Sequence, residues 1–306
     1  MTLITQTLLA LRLEDATIHQ NLAVFPLVSD ARRAPDYLTL DEALARKVAH
    51  LTEISESGSV PELFFENDSA ERIFLADGEE LVGAKQNRIL NISILVGGTR
   101  KVRIPVSCVE SGRWGYRSRE FASAGRKLFA KARAAKSADI TASLLASGRR
   151  RSDQSRVWAD IDAKMSALDC ESPTAAMGDI YEQRKSRLDA YAEAFRPGPD
   201  QVGAVFAVDG RVTGLELYDS DATFAKFLGK LVGSYAMDAI ESNRPAPQPT
   251  LEDVRAFLGR IQTAAIETFP STDLGEDLRF GGGEVTGGVL VHEGRVVHLS
   301  AFATAK

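Results

Sequence analysis

Residues 81–114 read LVGAKQNRILNISILVGGTRKVRIPVSCVESGRW, two apolar alternations separated by Gly97-Gly98-Thr99. Taken as one strand from Val82 to Val96, the even positions are Val82, Ala84, Gln86, Arg88, Leu90, Ile92, Ile94 and Val96, an apolar face broken by two large polar side chains. The following strand puts Val102, Ile104, Val106 and Cys108 on its even face and ends at Glu110. A three-residue loop at 97–99 matches these faces, setting Ile94 against Val102, Ile92 against Ile104, Leu90 against Val106, Arg88 against Cys108 and Gln86 against Glu110. A slip of two residues sets Arg88 opposite Glu110. In either register a guanidinium and a carboxylate are expected at the end of an apolar face. They read either as a structural ion pair with Gln86 bonded to it, or as a ligand site. In the second reading Arg88, Lys85 and Arg113 meet an anion, Gln86, Asn87 and Glu110 read polar groups, and Trp114 offers a stacking plane. Asp77, Glu79 and Glu80 precede the strand across an Asp-Gly turn, which predicts a hairpin; they read as exposed turn acids or as carboxylates for a metal or general base.

The rest of the chain sets limits on that segment. Its 306 residues are 44% hydrophobic and 26% charged, which excludes disordered, collagenous and disulfide-scaffold classes. No apolar run reaches the roughly 18 residues of a membrane span, and the start MTLITQTLLALRLEDATIH lacks a basic leader, so a cytoplasmic protein with no membrane partner is expected. Cys108, Cys170 and four scattered histidines assemble no zinc pattern. No Walker sequence is present, no GxGxxG opens a helix after a strand, and no cofactor is implied; Gly281-Gly282-Gly283 and Gly287-Gly288 read as a turn or bulged strand.

Patterning predicts an α+β fold in which β-rich N- and C-terminal parts form one composite body around a central basic helical insertion. Residues 1–116 are the β-rich part carrying the KQNR and VSCVESGRW strings. Strands are expected within Ala16–Ser29, then a helix capped by Thr39 and Glu42 carrying Leu40, Leu44, Val48 and Leu51. Residues 117–200 read as helices with almost no strand pattern, broken at Ser147-Gly148 and closed by Arg196-Pro197-Gly198-Pro199. Residues 201–306 give a hairpin at Asp209-Gly210, a helix bearing Phe224, Phe227, Leu231 and Tyr235, a linker NRPAPQPT, a Thr250-capped helix and a last hairpin at Glu293-Gly294.

The net charge of −5 conceals a polarity. Between Arg117 and Arg156 eleven basic residues face three acids, a balance of +8 that leaves −13 on the remainder. Arg126, Lys127, Lys131, Arg149, Arg150 and Arg151 read as a solvated helix face, or as contacts to nucleic acid, an acidic partner or the acidic body of a second copy. The weak catalytic candidates are Glu110 and His298, the latter placed by alternation on the face of Val289, Val291 and Val296; Cys108 reads as a buried structural thiol.

The segments LADGEELVGAKQNRILNISILV and IPVSCVESGRW, with GAVFAVDGRVTGLELYDSDATFAKFLGKLVGSYAMDA and the terminal VVHLSAF, resemble the ADP-ribosylglycohydrolase- and rhodanese-phosphatase-superfamily-associated domain family. Lys85, Gln86, Asn87, Arg88, Ser107, Glu110, Arg113 and Trp114 match its motif. The resemblance implies a bacterial α+β domain of unestablished activity, linked to ADP-ribose, nucleotide and phosphoryl metabolism, and no catalytic residue. The expectation is a domain that binds or processes a nucleotide or ADP-ribose-like phosphate ligand. The alternative is a non-catalytic interaction or assembly module docking through its basic helices.

Overall fold

The computed structural model describes residues 1–55, 61–242, 247 and 249–304; most of the NRPAPQPT linker lies outside them. A nine-stranded antiparallel sheet runs in the order Arg12–Leu13, Leu22–Val28, Gln201–Val208, Arg211–Tyr218, Arg295–Ala303, Val285–His292, Glu276–Phe280 and Ile266–Pro270, with Thr17–His19 paired to Leu22–Val28. The two ends of the chain thus interleave in one sheet. Helices Leu3–Leu9 and Leu251–Thr263 cover one face, packing Ile4, Leu8, Phe257 and Ile261 on Phe25, Val205 and Leu299. Helix Asp221–Ala239 covers the other, with Tyr218 stacked on Phe227 and Phe206 on Tyr235.

A second β-layer holds the KQNR segment. One sheet is ordered Phe121–Lys127, Glu79–Gly83, Arg88–Leu90, Arg100–Cys108, Glu62–Asn67 and Ala49–Glu53; a smaller one is Ile94–Val96, Arg72–Leu75 and Tyr37–Thr39. The fold is α+β, with helices and antiparallel sheets in one chain.

Several local expectations change. Val82–Val96 is three short strands rather than one, because the chain turns at 84–87 and again at 91–93. Leu90 still pairs with Val106 and Arg88 with Cys108, but Ile94 leaves the hairpin and pairs with Leu75. The Asp77-Gly78 turn joins two different sheets instead of closing a hairpin. The capped helix ends at Ala45, and Leu51 belongs to the strand Ala49–Glu53. Residues 117–200 open with a strand, Phe121–Lys127, whose alternation is masked by small and basic residues. Their helices then pack against the sheet: Leu128, Phe129, Ile161, Ile180, Leu188 and Tyr191 share one core with Phe206 and Phe224. His298 leaves the Val289/Val291/Val296 face because the strand pair bulges between Leu290 and Val291, which moves it against Tyr218 and Phe74.

The acids of the Asp77 turn are inside, not on the surface. Asp77 accepts a hydrogen bond from Lys136 Nζ and from Arg133 Nη2 at 3.3 Å, both cations on helix Ala130–Ser147. Arg133 Nη1 lies 2.7 Å from Glu216 Oε1, and Glu216 Oε2 lies 3.4 Å from His298 Nε2. Ser93 Oγ accepts the Asp77 N–H and sits 2.8 Å from His298 Nδ1. With a carboxylate beside Nε2, that nitrogen keeps its proton and Nδ1 accepts from Ser93; burial holds the imidazole neutral by lowering its pKa. Gly78 is demanded here: its φ is +76°, and a Cβ would stand 2.9 Å from Arg133 Nε.

Burial presses the carboxyls of Asp77 and Glu216 toward neutrality, but the cations around them win. Glu216 is held down at about 2 by Arg133 and His298, and Asp77 is well below the usual carboxylate range through Lys136 and Arg133. Burial pulls Lys127 and Lys136 down to about 8. A lowered carboxyl pKa contributes stability that is present above the unfolded value of 4.5 and lost as pH falls toward 2. Chemical denaturation is therefore expected to show stability falling steeply below about pH 4.5. At pH 7, Asp77→Asn should lose about 3–5 kcal/mol, because it strands two buried cations. Arg12→Ala, which removes an exposed pair, should leave stability nearly unchanged.

Candidate functional site

Strand Glu79–Gly83 ends in a forced turn. Gly83 has φ +129° and Ala84 φ +38°, a left-handed conformation that strains an alanine. The loop 113–118 clasps this turn: Arg113 Nη1 donates to Ala84 O at 2.7 Å, the Arg117 N–H donates to the same oxygen at 2.9 Å, and Ala84 N–H donates to Ser118 Oγ at 3.0 Å. The Gly115 N–H donates to Lys85 O at 3.2 Å. The turn carries Lys85, Gln86 and Asn87 off the ladder, and pairing resumes at Arg88. The four polar residues that interrupt the apolar pattern are thus a tight turn plus the first residue of a new strand.

Glu110 lies at the centre of the cluster, fully buried. Its Oε2 accepts from Arg113 Nη2 at 2.6 Å and from the Asn87 N–H at 3.1 Å, and its Oε1 accepts from Thr174 Oγ1 at 2.8 Å. Burial alone would raise its pKa; the Arg113 and Thr174 hydrogen bonds and the Asn87 N–H keep it ionised below the ordinary range. Gln86 Nε2 donates to Glu110 O, and Arg113 Nη2 donates to Asn87 Oδ1. Arg88 does not meet Glu110. Its Nη1 donates to Gln86 Oε1 at 2.9 Å, and Nη2 faces Glu53 Oε1 at 3.9 Å; Nε and Nη2 have no hydrogen-bond partner among the described residues. The reason is the turn at 84–87, which removes Gln86 from the ladder and sends the Arg88 side chain toward Glu53. The Cys108 thiol donates to Gln86 Oε1 at 3.1 Å and burial raises its pKa, so it remains a thiol.

Glu80 is also fully buried. Its Oε2 takes Arg126 Nε, its Oε1 has no hydrogen-bond partner among the described residues, and burial together with the nearby Glu110 charge raises its pKa. Two carboxyls with opposed shifts thus stand behind one wall.

The cluster separates two open clefts. One, of about 610 Å³, is lined by Asn87, Arg117, Arg126, Thr174, Glu182 and Gln183. The other, of about 880 Å³, is lined by Glu53, Tyr116, Arg117, Ser118 and Arg119. Trp114 and Tyr116 are 50% and 53% exposed on the loop between them, with Lys85 Nζ 5.3 and 5.1 Å from their ring centroids and Arg88 Cζ 5.8 Å from the Trp114 centroid.

All seven residues expected to bind a ligand therefore meet in one place, but Gln86, Asn87, Arg88 and Glu110 form its framework, and the groups open to solvent are Trp114, Tyr116, Arg117 and Arg119. His298 is 1% exposed in the interior network and reaches neither cleft. Of the basic residues expected to touch a partner, Arg126 is held by Glu80 and Glu182, Lys127 is buried, Arg150 is bonded to Asp277, and Lys131, Arg149 and Arg151 are exposed. Sequence reading missed Tyr116, Arg117 and Arg119, legible as aromatic and basic residues interleaved just past the motif. It also missed Glu53 and Thr174, which only the fold brings near. Among the described residues no group of three or more His, Cys, Asp or Glu side chains is arranged to hold a metal ion, and no helix is long and apolar enough to cross a membrane.

A family model spans almost all of this architecture, residues 10–302. The chain belongs to the ARG and Rhodanese-Phosphatase-superfamily-associated Protein domain family. No curated protein and no solved structure matches it. The family's name records an association with those superfamilies and sets no activity, so in this member function has to be argued from the cluster itself.

The Gly83 turn gives a direct check on that cluster. A Cβ at Gly83 would lie 2.6 Å from both Glu120 O and Ser118 Oγ, whereas one at the exposed Gly229 meets nothing within 4 Å. Gly83→Ala is expected to cost about 2 kcal/mol or more, while Gly229→Ala, within helix Asp221–Ala239, gains about 0.5–1 kcal/mol; thermal melts of both compare them.

Proposed function

We propose that the loop Glu110–Glu120 and its flanking clefts bind a nucleotide or ADP-ribose-like phosphate ligand. The observation that carries this reading is the pair of half-exposed rings, Trp114 and Tyr116, on a loop that places Arg117 in both clefts and Arg119 in one. Flat aromatic faces suit a base, and guanidinium forks suit phosphate oxygens. The loop is fastened at Ala84, Lys85 and Glu110, so little of its ordering is left to be done on binding. Arg88 and Lys85 support the rings from behind. Glu110, kept ionised, orients Arg113 and Thr174 and stands 3.8 Å from Arg117 Nη2, which draws that guanidinium to the cleft.

The alternative of an interaction module docking through a basic helical face has less support. Lys127, Arg133, Lys136 and Lys164 are turned inward to carboxylates or aromatic rings of the same chain.

Titration calorimetry against ADP-ribose, NAD and mononucleotides, with Trp114 fluorescence as a second readout, tests the reading. At least one ligand should bind, Arg117→Ala and Trp114→Ala should each weaken it about tenfold, and the fluorescence should change on binding. Absence of binding by all of them, or affinity unchanged in both variants, rejects it.

A further inference from the structure

Gly148 ends helix Ala130–Ser147 in the left-handed conformation, and Arg149, Arg150 and Arg151 follow before Asp153 caps helix Gln154–Ala167. The triplet occupies one wall of an open pocket of about 470 Å³; Arg103, Glu62, Ser271 and Thr272 stand on the others. This pocket shares no lining residue with either cleft beside Trp114.

The segment carrying the triplet is fastened from the inside. Arg150 donates through Nε to Asp277 at 3.0 Å and through Nη2 to Pro270 O, and its own carbonyl accepts from Asn91 Nδ2 at 3.0 Å. Ser152 Oγ lies 2.5 Å from Ser107 Oγ, and the Gln154 amide bonds both the N–H and the carbonyl of Cys108 at 2.8 Å. Arg150 is therefore an anchor, and its neighbours are held in place by it.

Those neighbours are unpaired. Arg149 and Arg151 are exposed and have no hydrogen bond, ion pair or ring contact among the described residues. Arg103 Nη1 stands 4.0 Å from Glu62 Oε2, and its Cζ lies 5.7 Å from the Phe64 ring centroid. Ser271 Oγ, shut from solvent, has no hydrogen-bond partner among the described residues. Arg103, Arg149 and Arg151 on one concavity repel one another, and the carboxylate among its described lining residues, Glu62, stands 4.0 Å from Arg103 and pairs with neither Arg149 nor Arg151. An anion from outside would supply the countercharge that Arg149 and Arg151 lack, and planar forks beside hydroxyls match the oxygens of a phosphoryl group.

We propose that the Arg103/Arg149/Arg151 pocket is a second anion site, taking the phosphoryl or pyrophosphoryl group of a small ligand. The pocket bears no aromatic ring among its described lining residues, which favours a compact phosphate group over a nucleic-acid strand. Its fastening to Ser107 and Cys108, on the strand that leads to Glu110, places both anion sites on one rigid sheet.

The test is calorimetric titration of sodium pyrophosphate at low salt into protein carrying Arg117→Ala and Arg119→Ala, so that the loop's own guanidinia are gone. One pyrophosphate should bind per chain, and adding Arg149→Ala and Arg151→Ala should weaken it by about tenfold or more, with no fall in melting temperature because neither side chain has a partner to lose. Arg149→Gln/Arg151→Gln repeats the measurement with the stems kept. No pyrophosphate binding, affinity insensitive to both double variants, or binding of a single-stranded RNA in place of pyrophosphate overturns the proposal.

Discussion

A cation in a protein interior is costly unless a carboxylate stands beside it, and this chain places two such pairs, at Arg133 and Lys136, on the buried face of one helix. Their partners come from far apart in sequence. Asp77 lies on the turn between the two sheets of the second β-layer, and Glu216 on the nine-stranded sheet. The helix is therefore pinned between the two β-bodies; Tyr235 donates to Glu216, and His298 stands between Glu216 and Ser93. Apolar packing on either side supplies bulk stability, but it is non-directional; the ion pairs fix which part of the helix faces which sheet.

That arrangement reaches the candidate site through Asp77. The strand Glu79–Gly83 starts one residue after the Gly78 turn, and Glu79 is tied to Lys230 of helix Asp221–Ala239 at 2.5 Å. The strand ends at the Gly83–Ala84 turn, so the position of KQNR follows from where the buried pairs hold its beginning. At the far end of helix Ala130–Ser147, Gly148 delivers the arginine triplet to its pocket. One helix thus relates the interior network to both surface sites.

Much of this was legible in the sequence. Alternation and turn residues located the hairpins at Asp209-Gly210 and Glu293-Gly294, and capping boxes located the helices after Thr39 and Thr250. The register of Arg88 on Cys108 followed from matching apolar faces. What could not be read was the third dimension of charge. Asp77, Glu79 and Glu80 look like soluble turn acids until Lys136, Lys230 and Arg126 are brought to them across gaps of 59, 151 and 46 residues. The basic stretch, which offered a solvated face or a surface for another molecule, is in part the same case: Arg126, Arg133, Lys136 and Arg150 meet the chain's own acids, and local sequence carries no record of that pairing. The Arg88–Glu110 pair failed because a left-handed Ala84 is invisible to periodicity.

Arg133 and Glu216 act as one unit across the helix–sheet junction. A double-mutant cycle with Arg133→Met and Glu216→Gln, followed by urea unfolding at pH 7, measures it most directly. Each single change should be strongly destabilising, and the double variant should recover about 2 kcal/mol or more of their sum. Losses that add to within about 0.5 kcal/mol would mean that the two residues contribute independently, and would contradict it.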